Sequence, residues 1–273
     1  MTKPPGYPLV DATARYMRAQ THLSAIYNGI ETNREKNRYR LRREPNADGS
    51  EHVYHLGKIA TPSALFATQV SDCLHNLRAC LDNLVYRLAE LNQQTLGKTV
   101  SKTVAGGLSF PICKDSGPFE AARPDALKCT SEGAKNLVLN FQPYNRSHPV
   151  DTDPLWTLRK LQDVDKHRFL VRLQLDILTI NFDVVPGYET ELVPGPAFMY
   201  PNRRLEDDEW LCTVNVNPPS LETDFNLNPD FPVVFDKGPA EGQNVVFGLN
   251  DIRVRIGEVL GEAHKLPEVA GAP

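Results

Sequence analysis

Ser71-Asp72-Cys73-Leu74-His75-Asn76-Leu77-Arg78-Ala79-Cys80-Leu81-Asp82-Asn83-Leu84-Val85 is the stretch on which the reading of this chain turns. At about 100° per residue along a helix, Leu74, Leu77, Leu81, Leu84, Val85 and Leu88 share one face, and Ser71, His75, Arg78 and Asp82 line its edge. Thr61 and Pro62 open this helix, a cap followed by the proline that suits a first turn, and the pattern continues to about Asn92. A charge at the rim of a core is costly unless it is paired. The strip is therefore either a structural network, with Arg78 pairing Asp82 across one turn, or a site in which His75, Arg78 and Asp82 surround a ligand. The residues alone leave both open.

A second polar cluster, Asp163-Val164-Asp165-Lys166-His167-Arg168, lies in a third long helix that begins after Asp153-Pro154 and carries Leu155, Leu158, Leu161 and Phe169. The same helical spacing puts Asp165 near the centre of that apolar face, beside Gln162 and Arg172. An inward carboxylate needs a cation or several donors, and Arg78 or His75 is the most economical partner. A His-carboxylate pair at such a junction could act as a general base, and an arginine beside it could hold a phosphate or stabilise developing negative charge. The candidate catalytic residues are thus His75, Arg78, Asp82, Asp165, His167 and Arg168. A buried Asp/Arg pair that fixes helix register explains the same pattern without catalysis, so enzyme or not stays open. These residues form no recognised metal-ligand motif, and neither a metal nor a cofactor is expected.

Upstream, Tyr16, Ala19, Leu23, Ile26, Tyr27 and Ile30 recur at helical spacing between Asp11 and about Arg34. The pattern then alternates, breaks at Pro45-Asn46-Ala47-Asp48-Gly49-Ser50, and resumes at His52-Val53-Tyr54-His55-Leu56, which reads as a β-hairpin over about 36–59. The hairpin contains the one dense basic run, Arg34 to Arg43. Arg38, Arg40 and Arg42 would form a positive strip able to meet phosphates, with Tyr39 stacking on a base; a solvated hairpin face is the plainer alternative.

Downstream, Gly106-Gly107, Pro111, Gly117-Pro118 and Pro124 break up residues 97–150 around one short helix at about Ser131–Phe141. Alternation then marks strands at Leu173, Leu175 and Ile177, at Ile180, Phe182 and Val184, and from Trp210 to Val216. The short apolar runs Val233-Val234-Phe235 and Val245-Val246-Phe247 read as further strands, and Asn250 opens a last helix that ends before Pro267. The expected fold is α+β. A helical bundle over 1–168 with the inserted hairpin precedes a β-rich part over 169–249, an antiparallel sheet or small barrel. A helix over 250–266 then returns to the bundle, and 267–273 is a frayed tail.

Composition narrows the function classes. The 273 residues carry a formal net charge of −4, which excludes coating nucleic acid by bulk electrostatics. Five cysteines without a C-x-x-C pair argue against a disulfide framework. The N-terminus lacks an apolar signal core and no window approaches the roughly 18 apolar residues of a membrane span, so a cytoplasmic protein without membrane contact is expected. Gly106-Gly107 and Gly257-x-x-x-Gly261 do not make phosphate loops, and no G-x-S-x-G elbow appears. The acidic run Glu206-Asp207-Asp208-Glu209 reads as a solvated loop before a strand.

The polar helix, together with Phe110-Pro111-Ile112, Gln142-Pro143-Tyr144, Leu155-Trp156 and Asp165-Lys166-His167-Arg168, resembles a family of bacterial and phage proteins abundant in actinobacteria. That family brings no assigned chemistry. A looser likeness is to the HEPN helical bundles, many of them RNA-cleaving or nucleotide-linked toxins and defence proteins. Their signature is an arginine, four to six residues, then a histidine. Arg15 and His22 fit that spacing, whereas Arg159 and His167, with seven residues between them, do not. The resemblance implies a helical-bundle protein acting in a nucleic-acid-linked or defence-related process, with RNA, another protein or a second copy of the chain as partner. The competing readings are a non-catalytic protein-protein interaction module and a small-molecule binding protein.

Overall fold

Leucines spaced three and four apart make α2 (Ala64–Thr95) the central helix of its part of the chain: Val70, Leu74, Leu77, Leu81, Leu84, Val85 and Leu88 are all 0% exposed. The computed structural model describes residues 8–36, 41–57, 62–167, 173–175, 179–183, 185–199, 205–223, 225, 227–236 and 238–272. In chain order the elements around α2 are α1 (Val10–Lys36), β1 (Arg42–Pro45) and β2 (Glu51–His55) before it. After it come α3 (Lys102–Gly107), α4 (Ser116–Ala126), α5 (Glu132–Asn140), α6 (Pro154–His167), β3 (Leu173–Leu175), β4 (Thr179–Phe182) and β5 (Glu189–Pro194). The chain continues with α7 (Pro196–Met199), β6 (Trp210–Asn217), β7 (Leu227–Asp230), β8 (Val233–Phe235), α8 (Val245–Ala263) and α9 (Pro267–Ala270). The protein is α+β.

The chain forms two compact units. The helical unit gathers Met1–Ile26, Thr68–Val171 and Val246–Pro273. Its core joins Ala12, Ala19 and Ile26 of α1 to α2, to Leu155 and Leu158 of α6, and to Leu249, Ile252, Ile256 and Val259 of α8. Small size permits one close helix contact: a Cβ on Gly257 would lie 2.9 Å from the hydroxyl of Tyr16, which itself accepts a hydrogen bond from Arg253 Nη1 at 2.9 Å. The guanidinium of Arg255 sits 4.3 Å from the centre of the Phe141 ring.

The β-rich unit comprises Tyr27–Ala67 and Arg172–Val245. Its main sheet has the order β1-β2-β6-β5, with antiparallel pairing throughout. Alternation sorts its side chains. His52, Tyr54, Cys212, Val214 and Val216 are buried on one face, whereas Glu51, Glu189 and Glu191 stand exposed on the other. Two smaller ribbons pair β3 with β8 and β4 with β7. The turn between β1 and β2 is locked to a later loop. Gly49 has φ of +76°, its carbonyl accepts from Ser220 N at 2.9 Å, and His52 Nε2 meets the Ser220 carbonyl at 2.8 Å.

Four expectations change. Residues 97–150, read as loop pieces around one short helix, also hold α3 and α4, opened by side-chain caps from Ser101 and Asp115 respectively. Val245-Val246-Phe247 is the first turn of α8, not a strand: Val245, Leu249, Ile252, Ile256 and Val259 are buried at helical spacing, and the three-residue apolar run was too short to show it. The segment after Pro267 is not frayed, since Val269 on α9 is 3% exposed and Ser131 donates to the Glu268 carboxylate. Lys36 is the last residue of α1 and not part of the hairpin, whose strands are Arg42–Pro45 and Glu51–His55; residues 37–40 lie outside the described chain. No described helix is long and apolar enough to cross a membrane.

Candidate functional site

The polar strip of α2 closes on the backbone of one distant residue. Arg78 and Asp82 pair side by side, with Nε to Oδ2 at 3.0 Å and Nη2 to Oδ1 at 2.8 Å. Asp82 Oδ1 also accepts from the amide of Phe110 at 2.9 Å, and Arg78 Nη2 donates to the carbonyl of the same residue at 2.8 Å. Both backbone groups of Phe110 are thereby held by one ion pair. The side chains of Arg78 and Asp82 are 15% and 34% exposed, so this pair sits at the rim of the core. Arg78 Nη1 is buried without a partner among the described residues.

The next three residues are pinned in the same way. Gln142, 0% exposed, accepts from Cys113 N at 3.0 Å and donates to the carbonyls of Pro111 at 2.7 Å and Val138 at 3.0 Å. Arg159 Nη1 on α6 donates to the Ile112 carbonyl at 3.3 Å. An extended run buried among helices cannot pair its own backbone groups, and side chains from α2, α6 and the end of α5 supply the partners instead. Asp153, 0% exposed, caps α6 by accepting from Leu155 N at 2.8 Å and takes Arg146 at 3.1 Å.

His75 is exposed and makes no hydrogen bond or ion pair among the described residues, so it stands apart from the Arg78–Asp82 pair. Gln162 Nε2 reaches the Leu74 carbonyl at 3.1 Å and brings α6 against α2. The backbone of Asp165 and His167 belongs to α6, but their side chains and all of Arg168 lie outside what is described. Arg38 and Arg40 do as well. Arg42 pairs with Glu44 and with Asp208 at 2.7 Å, so the described arginine of the basic strip is neutralised by its neighbours. On α1, Arg15 Nη1 donates to Asn76 Oδ1 at 3.3 Å, which ties it to the polar helix.

Burial pushes the thiols of Cys73, Cys80 and Cys212 up to about 12, and raises Cys113 too. None of these four is an activated nucleophile. Among the described residues no three His, Cys, Asp or Glu side chains gather as a metal ion requires. Sequence reading missed Gln142 and Arg159 as network members. Gln142-Pro143-Tyr144 stood out as a motif, yet its partners are 29 and 31 residues away and no local pattern names them. Compared with protein-family models, curated proteins and solved structures, the chain matches none of them.

Proposed function

We propose that this chain is a non-catalytic interaction module whose polar helix chemistry is architectural. The observation that carries this reading is the closure of Arg78 and Asp82 on the amide and carbonyl of Phe110. A general acid or an anion-binding arginine needs a face open to substrate, and here Asp82 Oδ1 and Arg78 Nη2 are engaged by the amide and carbonyl of Phe110 while Arg78 Nη1 is buried. His75, the one exposed member of the strip, makes no side-chain hydrogen bond or ion pair among the described residues that would orient it. The experiment sets purified chain against labelled single-stranded RNA and measures cleavage. No cleavage, together with a large thermal loss in Asp82→Ala, is the expected result. Cleavage that His75→Ala abolishes while the fold is intact would overturn the reading in favour of a nucleic-acid-linked enzyme of the HEPN kind.

A further inference from the structure

The β-rich unit carries a sheet edge with a definite hydrogen-bonding register and a definite charge. In the order β1-β2-β6-β5, strand β5 is terminal, and no other described strand pairs with it. Gly195 N donates to the Leu211 carbonyl at 2.8 Å. In an antiparallel ladder, hydrogen-bonded pairs recur every second residue, so Val193, Glu191 and Glu189 turn their backbone groups toward β6. Val216 N, donating to the Ser50 carbonyl at 2.8 Å, fixes the complementary phase on the β2 side. The amides and carbonyls of Thr190 and Leu192, with the carbonyl of Pro194, therefore point out from the free edge. A terminal strand of this kind is a template for another strand.

Charge selects what can pair there. Glu189 and Glu191 project from β5 on the exposed face, opposite Asn217 and Asn215, and Glu51 lies across Asn215 on β2. An open groove of about 460 Å³ runs among Glu51, Glu189, Glu191, Asn215 and Asn217. No lysine or arginine pairs with these three carboxylates among the described residues; Glu189 and Glu191 meet only the amides of Asn217 and Asn215, each at 3.4 Å. A second copy of β5 would set glutamate beside glutamate, and a nucleic-acid backbone would bring phosphate to carboxylate, so both are disfavoured.

We infer that the free edge of β5 is the docking edge for an extended cationic segment of a partner protein, which adds as a further strand with lysine or arginine at alternate positions over Glu189 and Glu191. The inference deepens the interaction-module reading and rests on it. Backbone pairing gives the affinity and the alternating cations give the selectivity.

The test is fluorescence anisotropy with a labelled peptide of Lys-Thr repeats, set against a Glu-Thr peptide of equal length and a Lys-Thr peptide N-methylated at every residue. The expected result is binding of the Lys-Thr peptide that weakens with salt, at least about tenfold weaker binding after N-methylation because the strand hydrogen bonds are lost, and no binding of Glu-Thr. Glu189→Lys with Glu191→Lys should exchange the preference between the charged peptides. Should that variant fold poorly, Glu189→Gln with Glu191→Gln should weaken Lys-Thr binding and remove most of its salt dependence at an unchanged melting temperature. Equal binding of the methylated and unmethylated peptides, binding insensitive to these substitutions, or no binding at all would overturn the inference. None of those results touches the RNA-cleavage test, so the two readings fail separately.

Discussion

The carboxylate of Asp82 holds the amide of Phe110 at 2.9 Å across 28 residues of sequence. With Arg78 on the carbonyl of the same residue, this joins the central helix to the Phe110–Cys113 run and makes the ion pair a fold element.

Asp82→Ala should therefore cost about 2–4 kcal/mol, because it leaves the Phe110 amide unpaired and the Arg78 cation without its carboxylate at the core rim. At about 2–4 °C per kcal/mol for a chain of this size class, the melting temperature should fall by roughly 4–16 °C. His75→Ala should stay within about 0.5 kcal/mol of the parent. Thermal unfolding followed by circular dichroism checks both, and equal losses would assign His75 to the network.

Gln142→Glu should be more damaging at neutral pH than at pH near 4. An ionised carboxylate at that position would face the carbonyls of Pro111 and Val138, which now accept from the Gln142 amide nitrogen. Its folded-state pKa would be raised above the unfolded value of about 4.3. The variant is then least impaired below that value and loses stability as pH rises through the raised one. Urea midpoints across pH, compared with the parent, measure this; parallel curves would show that the side chain swings out to water.

Gly49→Ala should destabilise the β-rich unit by at least about 1 kcal/mol. The position has φ of +76°, and a Cβ there would lie 2.6 Å from the carbonyl carbon of Ser220, a backbone atom that cannot rotate away. Proteolysis under native conditions should then reveal new cleavage near residues 218–223. An unchanged digestion pattern would mean that the turn and loop separate without consequence.

In the folded chain the thiol reagent DTNB should label Cys129 first at pH 8, because it is only partly covered while the other four cysteines are buried. Cys73, Cys80 and Cys212, with thiols pushed up to about 12 by burial, should react only after unfolding in guanidinium. Mass spectrometry of the labelled protein locates each site, and early labelling of Cys80 would contradict the burial of α2.

The helices were legible because their signals are local. Leucines at three-and-four spacing announce α2, and Asp153-Pro154 announces the start of α6 with the cap that the structure shows. Arg78 and Asp82, four residues apart, could be read as a pair from spacing alone. Their attachment to Phe110 could not, since it depends on where a loop returns. β5 escaped the sequence reading because Glu189, Glu191 and Val193 lie exposed and Thr190 and Leu192 only half-buried, so no apolar alternation marks the strand. The start of α8 was missed for the opposite reason: three consecutive apolar residues satisfy a strand and a helix equally.

The helical unit draws on three separate stretches, the last beginning at Val246, whereas the β-rich unit closes with Val245. During synthesis the ribosome thus releases every residue of the β-rich unit before α8 emerges to fill the space beside Tyr16 and Phe141. Until then the surfaces around Tyr16 and Phe141 that α8 meets are uncovered, and the growing chain lacks the buried apolar face that Leu249, Ile252, Ile256 and Val259 supply. A nascent chain stalled before Val246 should be a chaperone client, and one released beyond Ala263 should not.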